Sequence, residues 1–195
     1  MLSWSAITDA VVFTADQGYN TGHHGVWGKG NGTWPFNMYE ESIRVPMIWN
    51  HPGRINPGQV LRPMVSSYDW FPTILDWTGV TPPPASKDRP GRSYADFLRG
   101  KNPRWQNRLY FEYSMVRAVR TENMKLIMRT KDWESELYDL EADAGETKNH
   151  ITNAAYSKQR AALATDLERF FHRAGAPPLE NWRTTTKQDL TVYSR

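Results

Sequence analysis

The 195-residue sequence predicts an α/β fold, and three features predict it. Val11-Val12-Phe13 and Met47-Ile48-Trp49 are short apolar β-runs ended by turn-forming residues, as in strands of a parallel sheet covered by helices. Between Leu109 and Asp139, short β-prone runs separated by polar turns read as an antiparallel sheet of about four strands. From Ala155 to Ala174, the residues Leu163, Leu167, Phe170, Phe171 and Ala174 fall on one helical face.

Composition bounds the function. With 39% hydrophobic and 13% aromatic residues the chain is globular rather than disordered. A net charge of +3 fits an anionic substrate, and no basic run interleaved with aromatics marks a nucleic-acid surface. No stretch approaches the roughly 18 apolar residues of a membrane span. The absence of cysteine excludes disulfides and thiolate metal sites and leaves the compartment open. Residues 1–9 lack the basic start and apolar core of a signal peptide.

The elements follow in order. The Val11 strand ends at Thr14-Ala15-Asp16-Gln17-Gly18, and a glycine-rich stretch runs on to Tyr39. Within it, Asn31-Gly32-Thr33 reads as a turn, and also spells a glycosylation sequon. Trp34, Phe36 and Tyr39 could line a carbohydrate pocket or pack the loop onto the core. Arg44 to Trp49 reads as the next strand, with Pro46 near its start, where a missing N–H is tolerated. Residues 53–63 are loop, and Met64 to Tyr68 reads as a short strand. Asp69 is a predicted N-cap for a helix carrying Phe71, Ile74, Leu75 and Thr78, terminated by Gly79. Asp69 and Asp76 look like a carboxylate pair, yet capping and helix-end solvation account for them. A Pro-rich linker covers residues 80–93, so residues 1–93 and 94–178 form candidate domains with a 179–195 tail.

Tyr94 to Leu98 reads as a short helix. The four predicted strands are Leu109–Tyr113, Arg117–Thr121, Lys125–Arg129 and Glu136–Asp139. Arg120, Lys125 and Arg129 read as a charged sheet face. The long helix should pack on this sheet until Gly175 and Pro177-Pro178 end it.

The chemistry concentrates after the first strand, because ligands of open α/β sheets bind at the carboxyl ends of the strands. Asp16 and Gln17 offer a carboxylate and an amide carbonyl, hard donors that suit calcium or magnesium. They also read as ordinary turn residues. Two donors fall short of the six to eight that calcium takes. His23 and His24 lie between glycines in Gly22-His23-His24-Gly25, without the partners of a zinc motif. Lys29, between Gly28 and Gly30, leaves room for an anion to reach backbone and ammonium together.

Taken together, Thr14-Ala15-Asp16-Gln17-Gly18, Gly22-His23-His24-Gly25, Lys29 and Tyr39-Glu40-Glu41-Ser42-Ile43-Arg44-Val45-Pro46 resemble the second half of the type I sulfatases, members of the alkaline phosphatase superfamily. The resemblance runs on through Ser66 to Val80, the Val119–Leu140 strands and Asp143-Ala144-Gly145-Glu146-Thr147, and covers nearly all of residues 10–174. Ala144 stands where the family usually has proline.

The resemblance implies the second part of an alkaline-phosphatase-like sheet sandwich followed by the antiparallel sheet and its helix. It implies Asp16 and Gln17 as ligands of one Ca2+ ion, Lys29 as a contact to the sulfate group, His24 as a supporting residue and His23 as a residue bearing on substrate choice. It places Glu112, Tyr113 and Arg117 on a loop near the substrate's distal groups.

It further implies hydrolysis of sulfate esters, with carbohydrate sulfates favoured, and a formylglycine nucleophile made from a C/S-x-P-S-R motif. No cysteine and no Ser-x-Pro-Ser-Arg occurs here. Met1 is therefore expected to mark a truncation, the calcium site to be incomplete, and the chain to be inactive alone. Phosphonate or phosphate diester hydrolysis is the alternative within the superfamily. In a different class, the chain could be a non-catalytic remnant or binding module. The expected partner is a sulfated small molecule or carbohydrate, with no nucleic acid and no membrane. Dimerisation through an open sheet edge, or association with the missing half, would complete it.

Overall fold

The computed structural model of the chain describes residues 9–83, 89–130 and 132–181. The first eight residues, the centre of the Pro-rich linker and the tail beyond Asn181 lie outside them. The strands are β1 (Val11–Thr14), β2 (Asn20–Thr21), β3 (Trp27–Gly28), β4 (Met47–Asn50), β5 (Arg108–Tyr113), β6 (Val116–Thr121), β7 (Met124–Arg129) and β8 (Glu136–Asp139). The helices are α1 (Glu40–Ile43), α2 (Trp70–Thr78), α3 (Ala95–Leu98) and α4 (Ser157–Arg173). Two units interleave in sequence: one drawn from Met1–Gln17 and Val45–Asn107, the other from Gly18–Arg44 and Arg108–Arg195.

In the first unit β1 and β4 pair antiparallel, Val11 opposite Asn50 and Thr14 opposite Met47. The sequence predicts a parallel arrangement, and the structure corrects it. Nor are these runs covered on both faces, since Val11, Phe13 and Ile48 are exposed, and an apolar run by itself leaves strand direction open. Direction is fixed by where the connecting chain returns. The unit's core is aromatic: Trp77, Tyr94 and Phe97 are buried, with Trp49 and Trp105 packed against them.

Met64 to Tyr68 is not a strand. The Met64 backbone is satisfied by side chains instead, its N–H donating to Asn107 Oδ1 (2.8 Å) and its carbonyl accepting Trp105 Nε1–H (2.9 Å), and Ser67 already opens a 3-10 turn. Asp69 stabilises the start of the helical segment from inside the preceding turn. Its Oδ2 accepts the Ser66 N–H (2.9 Å) and its Oδ1 the Arg92 N–H (2.8 Å). Burial pushes its carboxyl above the usual range, against those two donors. Asp76 is tied to Arg99 (2.9 Å) and Ser93, so the two aspartates share no site.

The second unit is built on the four-stranded antiparallel sheet β5-β6-β7-β8, as the sequence predicts. Side chains alternate across a strand, and here both faces are covered. Val119, Leu126 and Leu137 meet Leu163, Leu167 and Phe171 of α4. Ala118, Ile127 and Tyr138, on the other face, meet Phe36 and Met38. Ala174 is exposed beyond the end of α4, so the apolar stripe stops one turn earlier than predicted.

Double coverage also overturns the charged sheet face. Lys125 is fully buried and Arg129 nearly so. Arg117 is buried as well: Glu112 holds it at 2.8 Å, it donates to the Pro177 carbonyl, and its guanidinium lies 4.2 Å above the Phe171 ring centroid. It is anchored in the sheet rather than presented to a substrate.

Candidate functional site

The segment from Gly18 to Arg44 carries His23, His24 and Lys29 within the second unit. Gly18 begins it by close approach. A Cβ there would stand 2.0 Å from the Glu41 carbonyl oxygen, and the Gly18 N–H donates to the Ser42 carbonyl (3.0 Å). Gly18→Ala should cost about 1–3 kcal/mol, because a backbone oxygen cannot move aside as a side-chain tip would. A urea midpoint matching that of the parent chain would refute the close approach.

The next residues form the hairpin β2–β3, pinned from below by Asn20. This side chain is fully buried and donates from Nδ2 to the Gly28 carbonyl (3.2 Å) and Ser42 Oγ (2.6 Å). Ser42 Oγ passes the chain on to Asn37 Oδ1 (2.6 Å), and Asn37 N–H donates to the Gly30 carbonyl (2.9 Å). Buried and hydrogen-bonded through every member, although Asn20 Oδ1 accepts no bond among the described residues, this network fixes the loop on both sides of Lys29. Lys29 itself is exposed on extended backbone, and its carbonyl accepts the Gly32 N–H (2.8 Å) to close the following turn. The Asn31-Gly32 turn reading holds.

His24 adopts left-handed backbone (φ 54°, ψ 20°), which is uncommon for a residue with a Cβ. Its ring stacks on Tyr39, centroids 3.7 Å apart and 8° from parallel, and Nε2 lies 3.6 Å from Glu41 Oε2. The backbone lies at the surface, while the side chain keeps only 14% of its exposure. His23 beside it is exposed. Tyr39 is thus engaged with His24, Phe36 belongs to the core, and Trp34 packs edge-on to Phe36 and Trp133. Of the two readings open to these aromatics, core packing is the one realised.

Beneath Tyr39 runs a layer of buried charge. Lys125 Nζ donates to the Met38 carbonyl (2.8 Å) and contacts Glu40 Oε1 (3.1 Å) and Glu146 Oε1 (2.5 Å). The Glu40 N–H donates to Glu146 Oε2 (2.7 Å), and Arg120 pairs with Glu40 at 3.2 Å. Burial raises the Glu40 carboxyl, but Lys125 and Arg120 outweigh it and hold the group below its ordinary 4.5. For Glu146, burial prevails over Lys125 and pushes the carboxyl up. Lys125 and Arg129, whose Nη2 donates to the Phe36 carbonyl (3.2 Å), together clamp the 36–40 backbone to β7.

His24, Glu41 and Glu146 bring one ligand atom each to within 4.8 Å of one another. Imidazole with carboxylates is a transition-metal donor set rather than the all-oxygen set of calcium. The Lys125 ammonium already occupies one side of Glu146. Asp16 and Gln17 are different in kind. They belong to the first unit, in the bend after β1, Asp16 exposed and Gln17 half-buried. Their carboxylate and amide oxygens fit a hard cation.

Sequence reasoning passed over Asn20, Glu41 and Glu146 as participants. The signals available were the strings Tyr39-Glu40-Glu41-Ser42 and Asp143–Thr147. Only folding shows that Glu41 faces His24, and that Glu146 reaches back to residue 40 across more than 100 positions.

Comparison with known proteins gives these features a family. The model of the N-sulphoglucosamine sulphohydrolase C-terminal region matches residues 22–173. An N-acetylglucosamine-6-O-sulfatase of Bacteroides thetaiotaomicron is 33% identical over 171 residues, covering 81% of this chain and 29% of that protein. A structure solved in complex with its substrate D-glucosamine-2-N,6-O-disulfate superposes with a TM-score of 0.75 at 30% identity, covering 88% of this chain and 36% of that one. A phosphonate monoester hydrolase from Silicibacter pomeroyi superposes with a TM-score of 0.72 at 26% identity, covering 92% and 37%. The chain thus spans about a third of the length of the proteins it matches. With the antiparallel sheet, its covering helix and the loop motifs all accounted for, the chain belongs to the sulfatase family and carries that family's C-terminal part.

Proposed function

We propose that this chain serves a sulfatase that hydrolyses sulfate esters of amino sugars, with Lys29 contacting the sulfate group. The observation that carries the proposal is the family match through the Lys29 loop, joined by relatives whose names specify glucosamine sulfates. The geometry supports it: Lys29 is an exposed ammonium on a loop whose backbone is fixed by buried hydrogen bonds, so only its side chain has to be ordered on meeting an anion. Asp16 and Gln17 would hold a Ca2+ ion, which as a hard cation would draw charge from the sulfate oxygens when bound. Two donors leave that site incomplete, and the remaining ligands come from outside this chain. His24, braced by Tyr39 and Glu41, supports the loop, and exposed His23 faces the rest of the substrate.

The sequence contains no cysteine and no Ser-x-Pro-Ser-Arg, which supports the reading that a formylglycine nucleophile would be supplied from outside these residues and that they do not turn over sulfate esters alone. In the full-length enzyme, Lys29→Ala should lower kcat/KM for glucosamine 6-sulfate about a hundredfold or more. A rate within twofold of the parent enzyme removes Lys29 from the site. Preferential turnover of phosphonate monoesters would instead favour the other branch of the superfamily.

A further inference from the structure

The surface around Lys29 carries more than its charge. In the β2–β3 hairpin Asn20 pairs with Gly28 and Thr21 with Trp27. Asn20 points inward and is fully buried, so its strand neighbours Tyr19 and Thr21 point outward. Trp27 and Lys29 flank Gly28, the last residue of β3, and both are exposed; two residues of chain span at most about 7 Å. Tyr19 precedes Asn20 in the chain and is exposed as well. The hairpin and its two flanking residues thus expose an indole, a phenol, a hydroxyl and an ammonium close together in the chain.

The exposure of these rings is unusual within the second unit. Trp27 is 73% exposed and Tyr19 54%, and among the described residues of that unit Tyr113 is the remaining large exposed apolar one. Tyr113 is stacked on Phe36, centroids 4.6 Å apart. Trp27 and Tyr19 have no ring partner among the described residues. The Trp27 indole is also held in place. It runs past Gly22, where an added Cβ would sit 3.6 Å from the ring, and the strand beneath is pinned by Asn20. An indole turning about only two χ angles on a pinned strand offers a flat face at low entropic cost.

We propose that Trp27 is a specificity-determining platform: the C–H face of a pyranose ring stacks on its indole while the sulfate carried by that ring reaches Lys29. Tyr19, exposed as well, supplies a hydroxyl to the sugar's own hydroxyls. The chemistry commits to a sulfated monosaccharide. A free inorganic anion would need only the lysine, and a neutral sugar only the ring. An ammonium beside an exposed indole suits a ligand that is apolar on one face and anionic at one end. This inference rests on the sulfatase reading and adds the residue that recognises the sugar rather than the ester.

The test uses the 195-residue chain and three probes followed by NMR titration: glucosamine 6-sulfate, glucosamine, and inorganic sulfate. Trp27→Ala should weaken glucosamine 6-sulfate binding about five- to tenfold and leave inorganic sulfate unchanged, with Trp27→Phe recovering most of the loss. Lys29→Ala should weaken both sulfated probes and leave glucosamine unchanged. Because Trp27 lies at the surface, an unchanged circular dichroism spectrum is expected and confirms that folding is not the cause. If Lys29→Ala weakens binding and Trp27→Ala does not, the platform is overturned while the sulfatase reading stands. If glucosamine 6-sulfate does not bind, or binds indifferently to both substitutions, the platform is again overturned. The Lys29→Ala rate in the full-length enzyme then decides the reading separately. Burial of Trp27 in the full-length enzyme, seen as loss of its exposed indole signal without substrate, would also overturn it.

Discussion

Lys125→Met should destabilise the second unit by about 3–5 kcal/mol, read from the urea unfolding midpoint. The methionine fills much of the same volume, so packing is nearly conserved and the loss is electrostatic. Lys125 is fully buried, and its ammonium serves the Glu40 and Glu146 carboxylates together with the Met38 carbonyl. Removing it leaves two buried carboxylates with Arg120 as the cation in contact with Glu40. An uncompensated charge in such a place costs several kilocalories, whereas the intact pair contributes little net stability. Adding Glu146→Gln to Lys125→Met should therefore recover part of the loss, since it removes the orphaned charge rather than adding a contact. A single variant within about 1 kcal/mol of the parent would mean that water reaches this layer.

Phe171→Ala should cost a similar amount, about 3–5 kcal/mol. Phe171 is buried under the sheet with Leu163 and Leu167, against Val119, Leu126 and Leu137. Its edge meets Phe170, centroids 5.2 Å apart, and the Arg117 guanidinium lies over its face. Truncation opens a cavity and strips Arg117 of its aromatic partner. That contact adds about 0.5–2 kcal/mol depending on how dry the site is. Arg117 keeps Glu112 and the Pro177 carbonyl, so the unit should remain folded, and Phe171→Leu should lose less. Arg169→Ala, at an exposed position of the same helix, should stay within about 0.5 kcal/mol. Equal losses at positions 169 and 171 would show that α4 frays rather than packs.

Periodicity was a good guide to which segments are strand or helix and to the face that α4 covers. The four strands from β5 to β8 and the stripe of Leu163, Leu167 and Phe171 follow from alternation and from helical spacing, because those residues face the core in any packing that works. The motif string from Asp16 to Pro46 likewise identified the family from residue order alone. Met64 to Tyr68 shows the limit. Its composition is that of a strand, yet among the described residues it pairs with no strand, and the Asn107 and Trp105 side chains take the hydrogen bonds of Met64.

Local sequence therefore determined the antiparallel sheet, the helix on it and the residue types of the candidate site. Tertiary structure alone decided the antiparallel direction of β1 and β4, the burial of Lys125 and Arg129, the stacking of His24 on Tyr39 and the outward face of Trp27. The physical reason is range. Strand alternation and helix period act over a few residues, whereas a charge is buried or exposed according to what a segment some 85 positions away lays over it.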